Sequence, residues 1–276
     1  MVNRKELDPE IGPQAAFGAR LRRLRDSRGW TQDELADRIG CTGSHVSAVE
    51  TGRRLPTRRF AASCDRALGT GDQLERRSLA VRQTALLEGF PEYVTHEGRA
   101  SEVRLFESGV IPGPLQTREY ARALADAAAL RGDITPEQAT ERVDYLIQRQ
   151  AVLARTPSPL ILAVLDESCI RRPIGGADVM DAQLARLVEF AALPNSGLQI
   201  APYSMGESKP FVRMVYLLTL PDRSLMSYVE SQTHGHLDRE PSSVLPLVRN
   251  YHQLQIGAAS QAESVAMIEN LRKGTL

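Results

Sequence analysis

The chain is 276 residues long, and its 34 basic side chains balance 34 acidic ones, which excludes a protein that coats nucleic acid over its whole surface. Cys41, Cys64 and Cys169 are too few and too scattered for a disulfide framework or a thiolate zinc site, and they suit a reducing compartment. No apolar run approaches the roughly 18 to 20 residues that span a bilayer, and MVNRKELDPE lacks the apolar core of a signal peptide, so a cytoplasmic protein of two domains with no membrane partner is expected.

Residues 1–16 read as a flexible arm. Phe17, Leu21 and Leu24 then recur at helical spacing, with Arg22, Arg23 and Arg28 off that stripe, which predicts a first helix with one buried face. Thr31 and Glu34 form a T-x-x-E capping box that opens a second helix, whose apolar side is Leu35, Ala36 and Ile39, and Gly40 supplies the left-handed residue that ends it. After a short turn, Thr42 caps a third helix. Val46 and Val49 face its core side, and Gly52 closes it just before Arg53 and Arg54. Two short helices joined by a tight turn read as a helix-turn-helix, with Leu55 and Phe60 closing the bundle. A third helix that buries Val46 and Val49 turns Gly43, Ser44, Ser47, Ala48 and Thr51 outward, with Thr42 at its start and His45 at the margin. Short polar side chains let a helix lie deep in the major groove, where Ser and Thr hydrogen-bond base edges and small residues meet thymine methyls. Between Phe17 and Phe60 stand ten arginines against five acids, about +5, so the remainder is near −5. A small basic domain joined to a larger acidic one suits a module that meets phosphate.

Residues 17–60 resemble the repressor-type helix-turn-helix of phage repressors and of bacterial regulators related to the xenobiotic-response-element family. The resemblance is carried by Thr31, Gln32, Leu35, Ala36, Val46, Glu50, Gly52 and Pro56 in register. It implies that Gln32 caps the second helix against a phosphate and that Gly43, Ser44, Ser47 and Ala48 face bases. It also implies that Glu50 pairs with Arg25, and that Arg53, Arg54, Arg58 and Arg59 run along the sugar-phosphate backbone, where they set affinity and not sequence preference. Gly43 and Ala48 stand where better-read members carry long amide side chains, so water or DNA shape is expected to contribute at those steps. Such modules bind as dimers to half-sites about one helical turn apart, which predicts a homodimer on a palindromic operator.

The DNA-binding domain is taken to end near residue 70 and a second domain to run from 75 to 276. Leu74 to Glu88 reads as a helix and Gly89 to Tyr93 as a linker. Ile111-Pro112-Gly113-Pro114 cannot continue a helix, so it sets a corner before a helix capped by Thr117. Another helix opens at Pro136 and keeps its stripe to about Arg155. Leu160 to Leu165 is a short apolar run that reads as a buried strand. A helix from Val179 to Leu193 follows, then strands at Leu198 to Pro202, Phe211 to Leu220 and Leu225 to Glu230. Helices near Ser242 to Gln255 and Gln261 to Arg272 close the chain. The fold class is therefore an N-terminal all-α helix-turn-helix bundle followed by an α+β domain with a small mixed or antiparallel sheet.

The segments IPGPLQTREYARAL, LDESCIRRPIGG and SYVES, in that order, resemble the C-terminal domain found behind repressor-type modules in actinobacterial regulators, the WhiJ-like or antitoxin-like group. The resemblance implies a domain that receives a small protein partner or a signal such as a small-molecule effector, and the dimer surface that the DNA-binding module requires is expected in this half of the chain. An alternative is an antitoxin-like protein that sequesters a small neighbour and regulates its own gene pair. Enzyme readings are weaker. His234-Gly235-His236 with Asp238 is the best metal-like cluster, but the intervening glycine favours a turn. His96-Glu97 starts like a zincin motif, yet Ala100 stands where the second histidine is required. Asp166, Glu167, Arg171 and Arg172 follow a strand and read as ion pairs, and Tyr203, Phe211, Tyr216 and Tyr228 as core. No phosphate-cradling or dinucleotide fingerprint occurs, so no cofactor, metal site or catalytic residue is expected.

Overall fold

The computed structural model describes residues 13–83, 89–151, 155–231 and 234–274. The chain divides into two compact units, Met1–Leu87 and Glu88–Leu276, and none of its described helices is long and apolar enough to cross a membrane.

The first unit is all helical: α1 Pro13–Ser27, α2 Gln32–Ile39, α3 Gly43–Glu50, α4 Arg58–Leu68 and α5 Gln73–Gln83. The entries of α2, α3 and α4 are each fixed by a side chain that accepts a backbone N–H. Thr31 and Glu34 form the reciprocal box, and Thr42 and Thr57 cap α3 and α4. Each such cap contributes about 1 kcal/mol. Gly40 and Gly69 end α2 and α4 with φ of 72° and 68°, a region that costs a residue with a Cβ about 1 kcal/mol or more. The helices share one core built on Phe17, Leu21, Leu35, Val46, Val49, Phe60, Leu68, Leu74 and Val81. Leu74 and Val81 belong to α5, so this helix is part of the first unit. The boundary expected between 70 and 75 lies instead at 87/88, because Asp65 at the end of α4 accepts the backbone N–H groups of Leu74 and Glu75 and folds α5 back. Residues 13–16, expected in the arm, are the first turn of α1, while residues 1–12 and 84–88 lie outside the described residues.

The second unit is α+β. Its elements are α6 Phe90–Glu97, β1 Glu102–Glu107, α7 Arg118–Leu130, α8 Pro136–Arg149, β2 Leu160–Asp166, α9 Glu167–Arg171 and α10 Ala177–Ala191. They continue with β3 Ser196–Ala201, β4 Val215–Thr219, β5 Leu225–Glu230, β6 Gly235–Asp238, α11 Pro241–Gly257 and α12 Gln261–Arg272. The six strands form one mixed sheet in the order β3-β2-β1-β4-β5-β6. β1, β2 and β3 run parallel, while β4, β5 and β6 pair antiparallel. One face packs Leu105, Ala163, Leu165, Ile200 and Leu218 with residues of α6, α7, α10 and α12. The other packs Phe106, Val164 and Leu217 under Val244, Tyr251 and Leu254 of α11. A sheet covered on both faces explains the nearly continuous apolar run of β2.

Three elements differ from expectation. Gly89 to Tyr93 opens α6: Gly89 has a φ of 82°, Pro91 sits in the first turn, and a Cβ on Gly89 would lie 2.4 Å from the carbonyl oxygen of Gly235. β1 escapes sequence reading altogether, although it is central, because EVRLFE interleaves charges with apolar residues. Arg104 and Glu102 pair with each other at 2.8 Å, and Arg104 also reaches the Thr219 hydroxyl. The His234 to Asp238 segment, read as a turn, carries edge strand β6, with Gly235 opposite Glu230.

The proline corner is held by side-chain amides, two of them buried. Gln116 donates to Ile111 O at 2.6 Å, Gln183 donates to Leu115 O at 2.9 Å and accepts from Thr117 N at 2.7 Å, and Gln150 donates to Gly113 O at 3.0 Å. These bonds satisfy backbone groups that the prolines exclude from regular structure. Beside the corner lies a polar network. Arg149 forks onto Glu97 at 2.6 and 2.7 Å, Tyr93 donates to Glu97 at 2.7 Å, and Arg149 lies 5.0 Å over Phe90. Burial works against the Arg149 charge, but Glu97 outweighs it and holds the guanidinium ionised. Tyr93 stacks on Tyr228 at 4.4 Å, and Tyr216 donates to Glu107. Burial raises the Glu107 carboxyl from 4.5 to about 7.

Candidate nucleic-acid interface

The site is built on α3 and its two ends. Val46 and Val49 are buried beneath it, and Ser44 and Thr42 are exposed at its start. Thr42 accepts from His45 N at 3.3 Å, and its hydroxyl lies 2.9 Å from that of Ser44. Gly43, Ser47 and Ala48 are half-buried. Gly43 has a specific steric reason to lack a side chain: a Cβ there would fall 1.7 Å from Oδ1 of Asp33 in the first turn of α2.

Two of the residues expected to face bases are otherwise engaged. His45 lies with its ring flat on Phe60, centroids 5.0 Å apart and planes at 13°, so it fills the seam between α3 and α4. Thr51 donates its hydroxyl to Ser47 O at 2.6 Å and accepts from Arg53 Nε at 3.0 Å. It ends the helix and aims an arginine. Turning Arg53 outward also takes backbone bonds, since Arg53 N and Arg54 N donate to Ala48 O at 2.8 and 3.1 Å.

Among the expected phosphate residues, Arg53 and Arg59 are exposed and Arg54 is half-buried. Arg58 pairs with Glu75 of α5 at 2.6 Å while staying 59% exposed in its side chain, a surface pair worth at most about 1 kcal/mol. Gln32 does not stand apart from the core: its amide donates to Glu50 Oε2 at 2.8 Å.

Glu50 is the hub of the unit. It is fully buried, and Arg25, 6% exposed, forks onto it with Nε at 2.6 Å and Nη2 at 3.0 Å. The hydrogen bonds that Arg25 donates to Glu50 raise the Arg25 pKa and keep the guanidinium charged. Arg22, unremarked in the sequence beyond its place off the apolar stripe, approaches the same carboxylate at 3.5 Å. Three helices thus meet on one carboxylate at the end of α3. Close packing completes the fit, since a Cβ on Gly18 of α1 would lie 2.7 Å from the carbonyl oxygens of Val49 and Glu50. The spacing of Gly18 from Leu21 and Arg25 on one face of α1 is the signal by which it can be found.

Among the described residues no group of three or more His, Cys, Asp or Glu side chains is placed to hold a metal ion. His234 and His236 are exposed on or beside an edge strand. Glu97 of the incomplete zincin motif is the buried partner of Arg149. Asp166 caps α9 and pairs with Lys209, Glu167 pairs with Arg171 and accepts from Tyr203 N. Burial pushes the Cys169 thiol up to about 12, which leaves it a poor nucleophile.

Comparison with known proteins agrees with this division. A helix-turn-helix domain family matches residues 16–79, a span that includes part of α5. Multiprotein-bridging factor 1 of Eremothecium gossypii is 36% identical over 69 residues, which cover 25% of this chain and 41% of that protein. The chain therefore spans less than half the length of that curated relative. No solved structure matches. The domain of unknown function DUF5753 matches residues 90–270. With more than half of its length covered by that match, the chain belongs to the DUF5753 family, and carries a helix-turn-helix domain in front of the family's α+β domain.

Proposed function

We propose that the protein is a sequence-specific DNA-binding transcriptional regulator that acts as a homodimer on a palindromic operator. The observation that carries this reading is the surface of α3: short side chains at Ser44, Ser47 and Ala48, with the exposed Arg53 held by Thr51 just beyond its end. A helix so trimmed can approach base edges, while Arg53, Arg54 and Arg59 meet phosphate on the flank. Gln32, held by Glu50, contributes its backbone position at the start of α2 to the same contact. The second unit, from the start of α6 onward, is assigned dimerisation and reception of a protein or small-molecule signal. A ligand that prefers one arrangement of the dimer shifts DNA affinity by its differential binding, typically about 1 to 3 kcal/mol.

The test is genome-wide recovery of DNA bound by the full chain, beside an Arg53→Ala/Arg54→Ala variant and a Ser44→Ala/Ser47→Ala variant. The expected result is a shared two-fold symmetric site. The arginine changes should weaken binding to all sequences and flatten its salt dependence by about one unit of slope per lost phosphate contact, while the serine changes alter base preference. Absence of any enriched site would overturn the reading. The fold would then serve to dock protein, a use suggested by the bridging named in the relative from Eremothecium gossypii.

A further inference from the structure

Position 43 in the first turn of α3 has no side chain, yet the space where one would begin is filled. Oδ1 of Asp33 lies 1.7 Å, and Cγ 2.9 Å, from where a Cβ on Gly43 would stand. The carboxylate therefore occupies the space in which a side chain at residue 43 would begin, between the flanking residues Thr42 and Ser44, which are exposed. Asp33 is itself exposed. From this geometry we infer that Asp33, a residue of α2, reads DNA in place of the missing side chain at 43, and that it selects cytosine at one position of each half-site.

The chemistry is one of acceptors alone. An ionised carboxylate has no proton to donate, so in the major groove it pairs with the N4 amino group of cytosine and is repelled by guanine O6 and N7 and by thymine O4. Adenine offers its N6 amino group but sets the N7 acceptor next to it, which disfavours a second carboxylate oxygen. A carboxylate among phosphates also lowers affinity for every sequence that cannot supply the amino group, so Asp33 sharpens discrimination by rejection as well as by attraction. Gly43 is then the residue that makes room for the reader.

This inference rests on the DNA-binding reading, and its test separates the two. The full chain, Asp33→Asn, Gly43→Ala and, as a control, Asp37→Asn at another exposed carboxylate of α2 are each selected against a randomised double-stranded library at one salt concentration, with folding checked by thermal melting. The wild type should enrich a site with cytosine fixed at one position per half-site, favoured roughly tenfold over guanine there. In Asp33→Asn that position should switch toward adenine, whose N6 and N7 suit an amide. In Gly43→Ala the methyl displaces the carboxylate, so the same position should lose its preference although Asp33 remains. Asp37→Asn should leave it intact. An enriched wild-type site in which every position survives Asp33→Asn overturns the role of Asp33 alone, and uniform tightening on all sequences would mark it as an electrostatic neighbour. No enriched site in the wild type overturns both readings.

Discussion

Replacing Arg25 by Met tests whether the helix-turn-helix is held by its buried ion pair. The change removes the fork at 2.6 and 3.0 Å and leaves the Glu50 carboxylate, 0% exposed, inside the unit. Breaking a buried pair by deleting one partner costs about 3 to 5 kcal/mol, because the surviving charge has no water to replace its partner. Gln32 at 2.8 Å and Arg22 at 3.5 Å remain, which places the loss near the lower end, about 3 kcal/mol. A unit of this size holds roughly 4 to 11 kcal/mol in total, so its midpoint should fall by about 12 to 24 °C. Trp30 is the only tryptophan, it lies in this unit with Arg38 stacked 4.2 Å over its ring, and its backbone carbonyl accepts a bond from Arg25. Its fluorescence therefore reports the first unit without interference from the second. The double variant Arg25→Met/Glu50→Met removes both charges and should recover most of the loss. The reasoning is refuted if the single change costs less than about 1 kcal/mol, or if the double variant is no more stable than the single one.

Two further predictions concern packing and pH. Gly18→Ala improves helix propensity by up to about 1 kcal/mol, but its methyl would meet two backbone oxygens at 2.7 Å. Overpacking typically costs about 1 to 3 kcal/mol, so a lower Trp30 midpoint is expected, and a raised one would contradict the contact. Glu107 is neutral-favouring in the fold: burial lifts it to about 7 from 4.5, with Tyr216 and Ser108 N bonding to it, Glu230 adding like charge and Arg149 opposing. Since the folded state binds the extra proton, its contribution is present below about 4.5 and is lost as pH rises through about 7. Urea unfolding of the second unit should therefore show stability falling by on the order of 3 kcal/mol across that window. Glu107→Gln, which keeps an acceptor for Tyr216, should abolish this component of the profile, and parallel profiles for the two proteins would disprove it.

The helix-turn-helix was legible because its signals are local. Thr31, Glu34, Gly40 and Thr42 each act on backbone within four residues, so spacing alone locates α2 and α3. The Arg25 to Glu50 pair, implied by resemblance, joins residues 25 apart in sequence, at 2.6 Å between Nε and Oε1. Strand β1 was not legible, because its place between β2 and β4 is set by partners more than 50 and 100 residues away, and its charged residues Glu102 and Arg104 satisfy each other at the sheet. The same holds for α5, whose membership of the first unit depends on Asp65 capturing its N-terminus. On α3 the burial of Val46 and Val49 followed from helical period, but the turning of His45 onto Phe60 and the approach of Asp33 to Gly43 depend on neighbouring helices that periodicity does not place.

The convergence of Arg22, Arg25 and Gln32 on Glu50 separates two kinds of inheritance. Loss of Arg25 or of Glu50 leaves a buried charge without its main partner, so the frame resists piecemeal substitution at that pair. Ser44, Ser47 and Ala48 take no part in that carboxylate hub and can be rewritten one at a time with little loss of folding. Positions 33 and 43 are linked to each other by space, and should change as a couple. A lineage built on this head can therefore acquire a new vocabulary while its grammar stays fixed.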